Sequence, residues 1–506
     1  MKAQALIEVL INYQLKGSTD LSCEIQNLTN DSRQAGPGDA FIAIVGQRFD
    51  GHSAVDQLIQ DRVQMIVAQE VSDYQVQQAI QKNVILVVVP DTNRAQAIMA
   101  NQFFHEASST LKLVAVTGTN GKTTTSNMIS QLLEAFDHTT GLIGTIHYKI
   151  GQTFYPAINT TPDSLTLHRY FAEMVEAGCQ DAVLEASSHA LALGRLWQTE
   201  VDCAIFTNLT REHLDFHQTM DHYAYAKSLL FAQLGEHFKG GQPKLAIVNL
   251  DDDYHSVMLA ASGATSATYS LENPRATAFA DEIEMSPRGL RFTLHFDNQA
   301  FKVFLPMIGR YNVYNYLAAF LCLTLSYGYD PQAVIEKTAQ MTGVPGRMQV
   351  IETDQPFSIV VDFAHTTDAL ENVLSELSQN KEGKLKVLFG HSGGNRDSAA
   401  RPDLGNTLFK WADEVVLTAD NPRFEPVDKI NQELLGDHHD QVHVMIEDRI
   451  EAIQYMIQSG QPGDILLFAG KGGESYQVIG DDYVPYDEIS VIKDTLVKEF
   501  GGNKWI

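Results

Sequence analysis

Between residues 113 and 136 the chain runs from an apolar stretch, Leu113–Thr117, through Gly118-Thr119-Asn120-Gly121-Lys122-Thr123-Thr124 into a helical pattern over Ser126–Phe136. No other segment constrains the fold as strongly. A buried strand feeding a glycine loop that opens a helix is the geometry of phosphate binding. Gly118 and Gly121 let backbone N–H groups curl around phosphate oxygens, and the helix end adds its positive pole. Lys122 reaches the β- and γ-phosphates, and the Thr123 hydroxyl is placed for Mg²⁺. Val116 occupies the position of the first glycine in the general GxxxxGK[ST] pattern, so the loop is a GxxGKT variant.

The same alternation recurs along the chain. Short unalternating apolar runs at Leu113–Thr117, Ala182–Ser187, Ala204–Asn208, Leu245–Asn249, Ile359–Asp362, Lys386–Gly390, Val415–Thr418 and Ile465–Ala469 read as strands buried on both faces of parallel sheets. After Asp362, the residues Leu370, Val373, Leu374 and Leu377 fall on one helical face. Strand–helix alternation predicts doubly wound α/β sheets with ligands beyond the strands' C-terminal ends. Polar residues 105–109 and the hinge Gly343-Val344-Pro345-Gly346-Arg347 divide the chain into 1–109, 110–343 and 344–506. The expectation is a three-domain α/β protein, with a central P-loop ATPase-type parallel sheet and a Rossmann-like C-terminal domain.

Composition narrows the function. With 506 residues, 44% hydrophobic and 20% charged, the chain is globular rather than disordered. A net charge of −27 argues against nucleic acid as a partner. The four cysteines, Cys23, Cys179, Cys203 and Cys322, are too scattered for a disulfide framework or a zinc knuckle, and they point to the cytoplasm. No apolar run approaches the ~20 residues of a membrane span, and Glu8 interrupts the N-terminal apolar stretch where a signal peptide would need continuity.

The loop, taken with motifs that follow it in order, resembles the Mur ligase family of ATP-dependent amide-bond formers in peptidoglycan synthesis. The likeness covers nearly the whole chain. It is strongest to the MurE branch, which adds a diamino acid to UDP-N-acetylmuramoyl-L-alanyl-D-glutamate. The resemblance implies that ATP contacts Gly118, Thr119, Asn120, Gly121, Lys122, Thr123 and Thr124, with Asn312 and Asn315 near the adenine and Arg347, with His365, near the nucleotide. It implies Mg²⁺ at Thr123, Glu185 and His213, and a carbamylated lysine, N6-carboxylysine, at Lys227. Without the family, Lys227 reads as a surface lysine on a helix.

The same likeness assigns the UDP-substrate to Asn30, Ser32, Gln47, Arg48 and Phe49 in the first domain, and to Asn159, Thr160, Thr161, Ser187 and Arg195 in the second. The incoming amino acid falls to Arg396, Asp420, Asn421, Pro422, Arg423, Gly470 and Glu474. Asp420-Asn421-Pro422-Arg423 looks like the meso-diaminopimelate version: Arg423 would clamp a second carboxylate and repel the terminal ammonium of L-lysine. Leu193, Ala400 and Gly473 depart from the family, where Gln, Lys and His are usual. The implied catalytic set is Lys122, Glu185, His213 and Lys227, acting in a monomer on an acyl-phosphate formed from the dipeptide. A folylpolyglutamate-type ligase and a non-catalytic nucleotide-binding paralogue are the alternative readings.

Overall fold

The computed structural model describes residues 1–46, 49–235, 238–239, 242–286, 288–379, 381–394 and 398–501, without the side chains of 238, 239 and 242. Three large sheets follow one another along the chain. The first has the spatial order Gln14–Gly17, Ile85–Val88, Met65–Ala68, Asp39–Ile42, Asn27–Thr29 and is parallel except for its first strand.

The central sheet runs Gln299–Leu305, Gly289–Phe296, Ala278–Ser286, Thr265–Ser270, Leu245–Asn249, Cys203–Phe206, Lys112–Thr117, Asp181–Glu185, Thr140–Ile143, His147–Ile150, Thr153–Pro156. Its middle, from Ala278–Ser286 to Thr140–Ile143, is parallel, and the apolar runs supply four of its seven strands, Lys112–Thr117, Asp181–Glu185, Cys203–Phe206 and Leu245–Asn249. The two wings are antiparallel hairpins that extend the expected parallel sheet at its edges. Wing strands escape the apolar-run criterion because part of their surface meets water: Thr153–Pro156 is exposed throughout and Ala278–Ser286 mixes buried and exposed positions.

The third sheet has the order Gln349–Ile351, Ser358–Asp362, Ile465–Ala469, Leu385–Phe389, Glu414–Leu417, His443–Met445 and is parallel after its first strand. Helix Thr367–Gln379 buries Leu370, Val373, Leu374 and Leu377 against it, as their spacing predicts. Each such side chain contributes roughly 1.5–3 kcal/mol of burial. A small hairpin, Tyr476–Ile479 with Asp482–Pro485, follows the sheet's last strand.

Local chemistry sets the element ends that matter for the site. The strand expected over Ala182–Ser187 stops at Glu185, because the Ser187 hydroxyl accepts from Ala190 N–H and caps the next helix. The helix after the glycine loop starts at Lys122, four residues before its apolar pattern becomes readable. No disulfide joins the four cysteines. Among the described residues, no helix is long and apolar enough to cross a membrane.

Candidate active site

The strand Lys112–Thr117 delivers the glycine loop to the C-terminal edge of the central sheet. Gly118 and Gly121 have φ of +154° and +86°, and crowding reinforces the demand for glycine. A Cβ on Gly118 would lie 1.8 Å from Thr207 Oγ1, and one on Gly121 would lie 2.4 Å from Asn315 Oδ1. Lys122 Nζ donates to the carbonyls of Gly118 and Thr119, 2.9 Å from each, so the ammonium is already folded over the loop. Thr119 shares a hydrogen bond with the Tyr223 hydroxyl, and Asn120 N–H donates to Asn208 Oδ1.

Thr123 and Glu185 meet directly: the threonine hydroxyl donates to Glu185 Oε2 at 2.8 Å. Glu185 also accepts from the backbone N–H and hydroxyl of Thr145, which fixes both carboxylate oxygens. Two hard oxygen donors at the positive end of a helix fit Mg²⁺, which keeps waters and phosphate oxygens as its other ligands. Among the described residues no group of three or more His, Cys, Asp or Glu could hold a metal ion by itself.

Lys227, expected to be unremarkable by its own helix, is buried, and its Nζ donates to Gly118 O at 2.7 Å. Burial, reinforced by Lys122, pushes its ammonium well below the ordinary lysine range. His213, with backbone φ +56°, lies beside Tyr223, whose ring also carries Lys227 Nζ at 4.5 Å. Glu212, which sequence reasoning passed over, is the local counter-charge. Burial raises its carboxyl, but His213, His365, Lys122 and Lys227 outweigh that and hold it below the usual range.

The 159–161 loop, expected to hold substrate, packs against the backbone of Glu185. The Thr161 hydroxyl donates to Glu185 O and accepts from Ser187 N–H, while Arg195 Nη1 donates to Thr161 O at 2.7 Å. The Thr160 and Thr145 hydroxyls are 3.1 Å apart, and Asn159 O accepts from the Tyr148 hydroxyl. Leu193, at the usual glutamine position, is exposed. From the first domain, Asn30 reaches this loop by donating to Asp163 Oδ1 at 3.4 Å. Ser32 lies in the turn that Asp31 pins through Arg33, and Phe49 is exposed. Gln47, Arg48 and Arg396 fall outside the described residues.

A cavity of about 310 Å³ opens between the central and third domains. Its walls include Gly121, Thr124, Tyr314, Asn315, Arg347 and His365. Asn312 stands behind that wall: it is buried, donating to Ile308 O and accepting from Asn315. Among the contacts that bridge the cleft, Arg347 Nη2 donates to Thr123 Oγ1, Asn120 Nδ2 donates to Asp368 Oδ2 and Arg310 N–H donates to Glu376 Oε2.

In the third domain the 420–423 and 470–474 segments are interlocked. Buried Lys471 donates to Asn421 Oδ1 and Glu474 Oε2, each at 2.8 Å, and lies 3.4 Å from Asp420 Oδ1. Burial raises the Asp420 carboxyl, and Lys471 and Arg449 more than reverse this, leaving it below its usual range. Pro422 O accepts from Glu425 N–H, and Gly470 adopts φ +98° with its N–H on Asp362 O. Arg423 has φ +53°, and its Nε is buried without a hydrogen-bond partner. Arg401, next to Ala400, is buried on Glu425 and Glu433 and acts as a structural clamp.

Sequence reasoning missed Glu212, Asp368 as a partner of Asn120, Arg449 and Gln477. Glu212 sits beside His213 in a polar run and could have been found there. The others act through contacts between distant segments and leave no local signal.

Comparison with known proteins shows the family. The Mur ligase middle domain matches residues 116–323, the Mur ligase glutamate ligase domain 346–472, and the Mur ligase family catalytic domain 24–105. The UDP-N-acetylmuramoyl-L-alanyl-D-glutamate–2,6-diaminopimelate ligase of Geobacillus thermodenitrificans is 39% identical over 503 residues, covering 99% of this chain and 100% of the relative. The ligase of the same name from Bacillus cereus is 38% identical over 496 residues, 98% of each chain. A solved structure of a ligase of that name superposes with a TM-score of 0.68 at 29% identity, covering 99% of both chains. With domain matches in all three parts of the chain and full-length likeness at this level, the protein belongs to the Mur ligase family.

Proposed function

We propose that this protein is an ATP-dependent amide ligase of peptidoglycan synthesis. It joins a diamino acid, meso-diaminopimelate in preference to L-lysine, to the D-glutamyl γ-carboxylate of UDP-N-acetylmuramoyl-L-alanyl-D-glutamate. The observation that carries the reading is the cleft itself. A phosphate loop with Lys122, Thr123 and Glu185 faces a domain whose Arg423 holds a buried guanidinium nitrogen without a partner.

The γ-phosphate of ATP passes to the γ-carboxylate, giving an acyl-phosphate and ADP. The α-amine of the incoming amino acid then attacks the acyl carbon, loses a proton, and phosphate departs. The N–H groups of Gly118–Thr124 and the Lys122 ammonium hold the phosphates and draw off developing charge. Arg195 and the Thr161–Ser187 pair orient the dipeptide, and Asn30, Ser32 and Phe49 receive its uridine end. Mg²⁺ at Thr123 and Glu185, with His213 and a carboxylated Lys227 serving a second ion, would neutralise the crowded phosphate oxygens. Lys227 suits carboxylation because burial favours its neutral amine, the form that adds CO₂. Arg347 and Asp368 hold the third domain over the loop, which excludes water from the acyl-phosphate.

The test is an omission series that measures phosphate release. The reading expects turnover only with ATP, Mg²⁺, the UDP-dipeptide and a diamino acid all present. ATP binding without turnover on any acceptor would instead favour the non-catalytic alternative, and turnover on a folate the folylpolyglutamate type.

A further inference from the structure

The hairpin Tyr476–Ile479/Asp482–Pro485 lies beyond residue 472, where the family match to the third domain ends. It is bound to the Asp420–Arg423 loop from Gln477 to Gly480. Gln477 Nε2 donates to Asp420 O at 3.0 Å, and Val478 N–H donates to Asn421 Oδ1 at 2.9 Å. Arg423 N–H donates to Val478 O at 3.0 Å, and Gly480 N–H returns to Arg423 O at 2.8 Å. Arg423 therefore forms a parallel bridge with Ile479 while its own φ is +53°.

A non-glycine residue held at positive φ costs about 1–3 kcal/mol, and such strain persists only where the surroundings over-determine it. Here the surroundings are the hairpin, whose main chain takes both polar groups of Arg423. On its other side the start of the loop is held by the Ser392 hydroxyl, which donates to Asp420 Oδ2, by Gly393 N–H on Asn421 O and by Lys471 on Asn421 Oδ1. Gln477 supplies the one side-chain donor from the hairpin to Asp420 O, at the base of the loop.

Resting on the ligase reading above, we propose that Gln477 is a positioning residue for amino-acid selection. Through Asp420 it sets the loop register that aims the Arg423 guanidinium at the second carboxylate of the incoming diamino acid. Gln477 itself touches no reacting atom. Bidentate recognition of a carboxylate depends steeply on geometry, so a loop displaced by a fraction of an ångström loses the carboxylate-bearing substrate first. A substrate ending in an ammonium loses little.

The experiment compares wild type with Gln477→Ala and Gln477→Glu. The second is isosteric but places an acceptor against the Asp420 carbonyl. KM for meso-diaminopimelate, ATP and the UDP-dipeptide is measured separately, with L-lysine as the competing amino acid and a melting curve for each variant. Both variants are expected to raise KM for diaminopimelate about tenfold, the scale of one lost hydrogen bond. The other two KM values should stay within about twofold, and preference over lysine should fall by a similar factor. An unchanged diaminopimelate KM, or all three KM values rising together with a lowered melting point, overturns the proposal. Wild type that turns over no diamino acid overturns the ligase reading and this inference with it; wild type active and variants identical to it overturn only the inference.

Discussion

Glu488 gives the sharpest stability prediction. Its carboxylate binds Arg449 in a fork, Oε2 to Nε at 2.6 Å and Oε1 to Nη2 at 2.7 Å, with the two side chains 0% and 1% exposed. The guanidinium also donates to Ala419 O and Ala469 O, each at 3.1 Å, and the Tyr486 hydroxyl donates to Glu488 Oε2. Burial alone would lower the Arg449 pKa, but Glu488 overrides it and holds the pKa above the usual arginine value. Glu488→Ala leaves this cation buried and unpaired, a loss of about 3–5 kcal/mol. At ~2–4 °C per kcal/mol for a domain of this size, the third domain should melt roughly 6–20 °C lower by scanning calorimetry. Replacing both partners, Arg449→Met with Glu488→Leu, should recover most of the loss, because an apolar pair carries no desolvation debt. Ala419 and Ala469 immediately precede Asp420 and Gly470, so Glu488→Ala should also raise KM for the amino acid. A loss under about 1 kcal/mol, or a double variant no more stable than the single, refutes the reasoning.

Four further outcomes are expected. Arg423→Ala should raise KM for meso-diaminopimelate by about a hundredfold, the scale of a lost bidentate ion pair, while changing L-lysine far less in steady-state assays. Gly346→Ala places a Cβ 2.0 Å from Gly473 N at φ +67°, against backbone of the third domain's own 472–473 turn that cannot yield cheaply; the third domain should melt lower by scanning calorimetry, with kcat several-fold lower. Asp368→Ala removes the acceptor of Asn120 across the cleft and should lower kcat several-fold with little change in melting point. His168, buried with Nδ1 unpartnered, is pushed down to about 4 by burial from an ordinary 6.5. Its unfolded form therefore takes up a proton first, and stability falls as pH drops from about 6.5 towards 4. Between pH 7 and 5, His168→Phe should lose about 2 kcal/mol less than wild type in denaturant titrations.

How far the sequence could be read follows from where each signal lies. Parallel strands such as Leu245–Asn249 were legible because they are buried on both faces and leave continuous apolar runs, whereas Thr265–Ser270, polar in sequence and exposed at its start, left none. The wings were not, because Thr153–Pro156 and Ala278–Ser286 face water in part. At the site, Gly118 to Thr123 could be read from local spacing, since loop and helix are contiguous. Lys227 could not: only its fold-dependent position under Gly118 O makes it unusual, and the family likeness supplied what spacing lacks. Arg449 and Glu488 are 39 residues apart, and Gln477 reaches Asp420 across 57. Such pairs exist only once folding has brought together the helices that carry Arg449 and Glu488, and the hairpin and loop that carry Gln477 and Asp420.

The most direct test of the account is the initial rate of phosphate release by the wild-type enzyme with ATP, Mg²⁺ and UDP-N-acetylmuramoyl-L-alanyl-D-glutamate, comparing meso-diaminopimelate with L-lysine at equal concentrations. Faster turnover with diaminopimelate is expected, because its second carboxylate is the group that the Arg423 guanidinium is proposed to clamp. Faster turnover with lysine would contradict the role given to Arg423, and release indifferent to any amino acid would contradict the ligase itself.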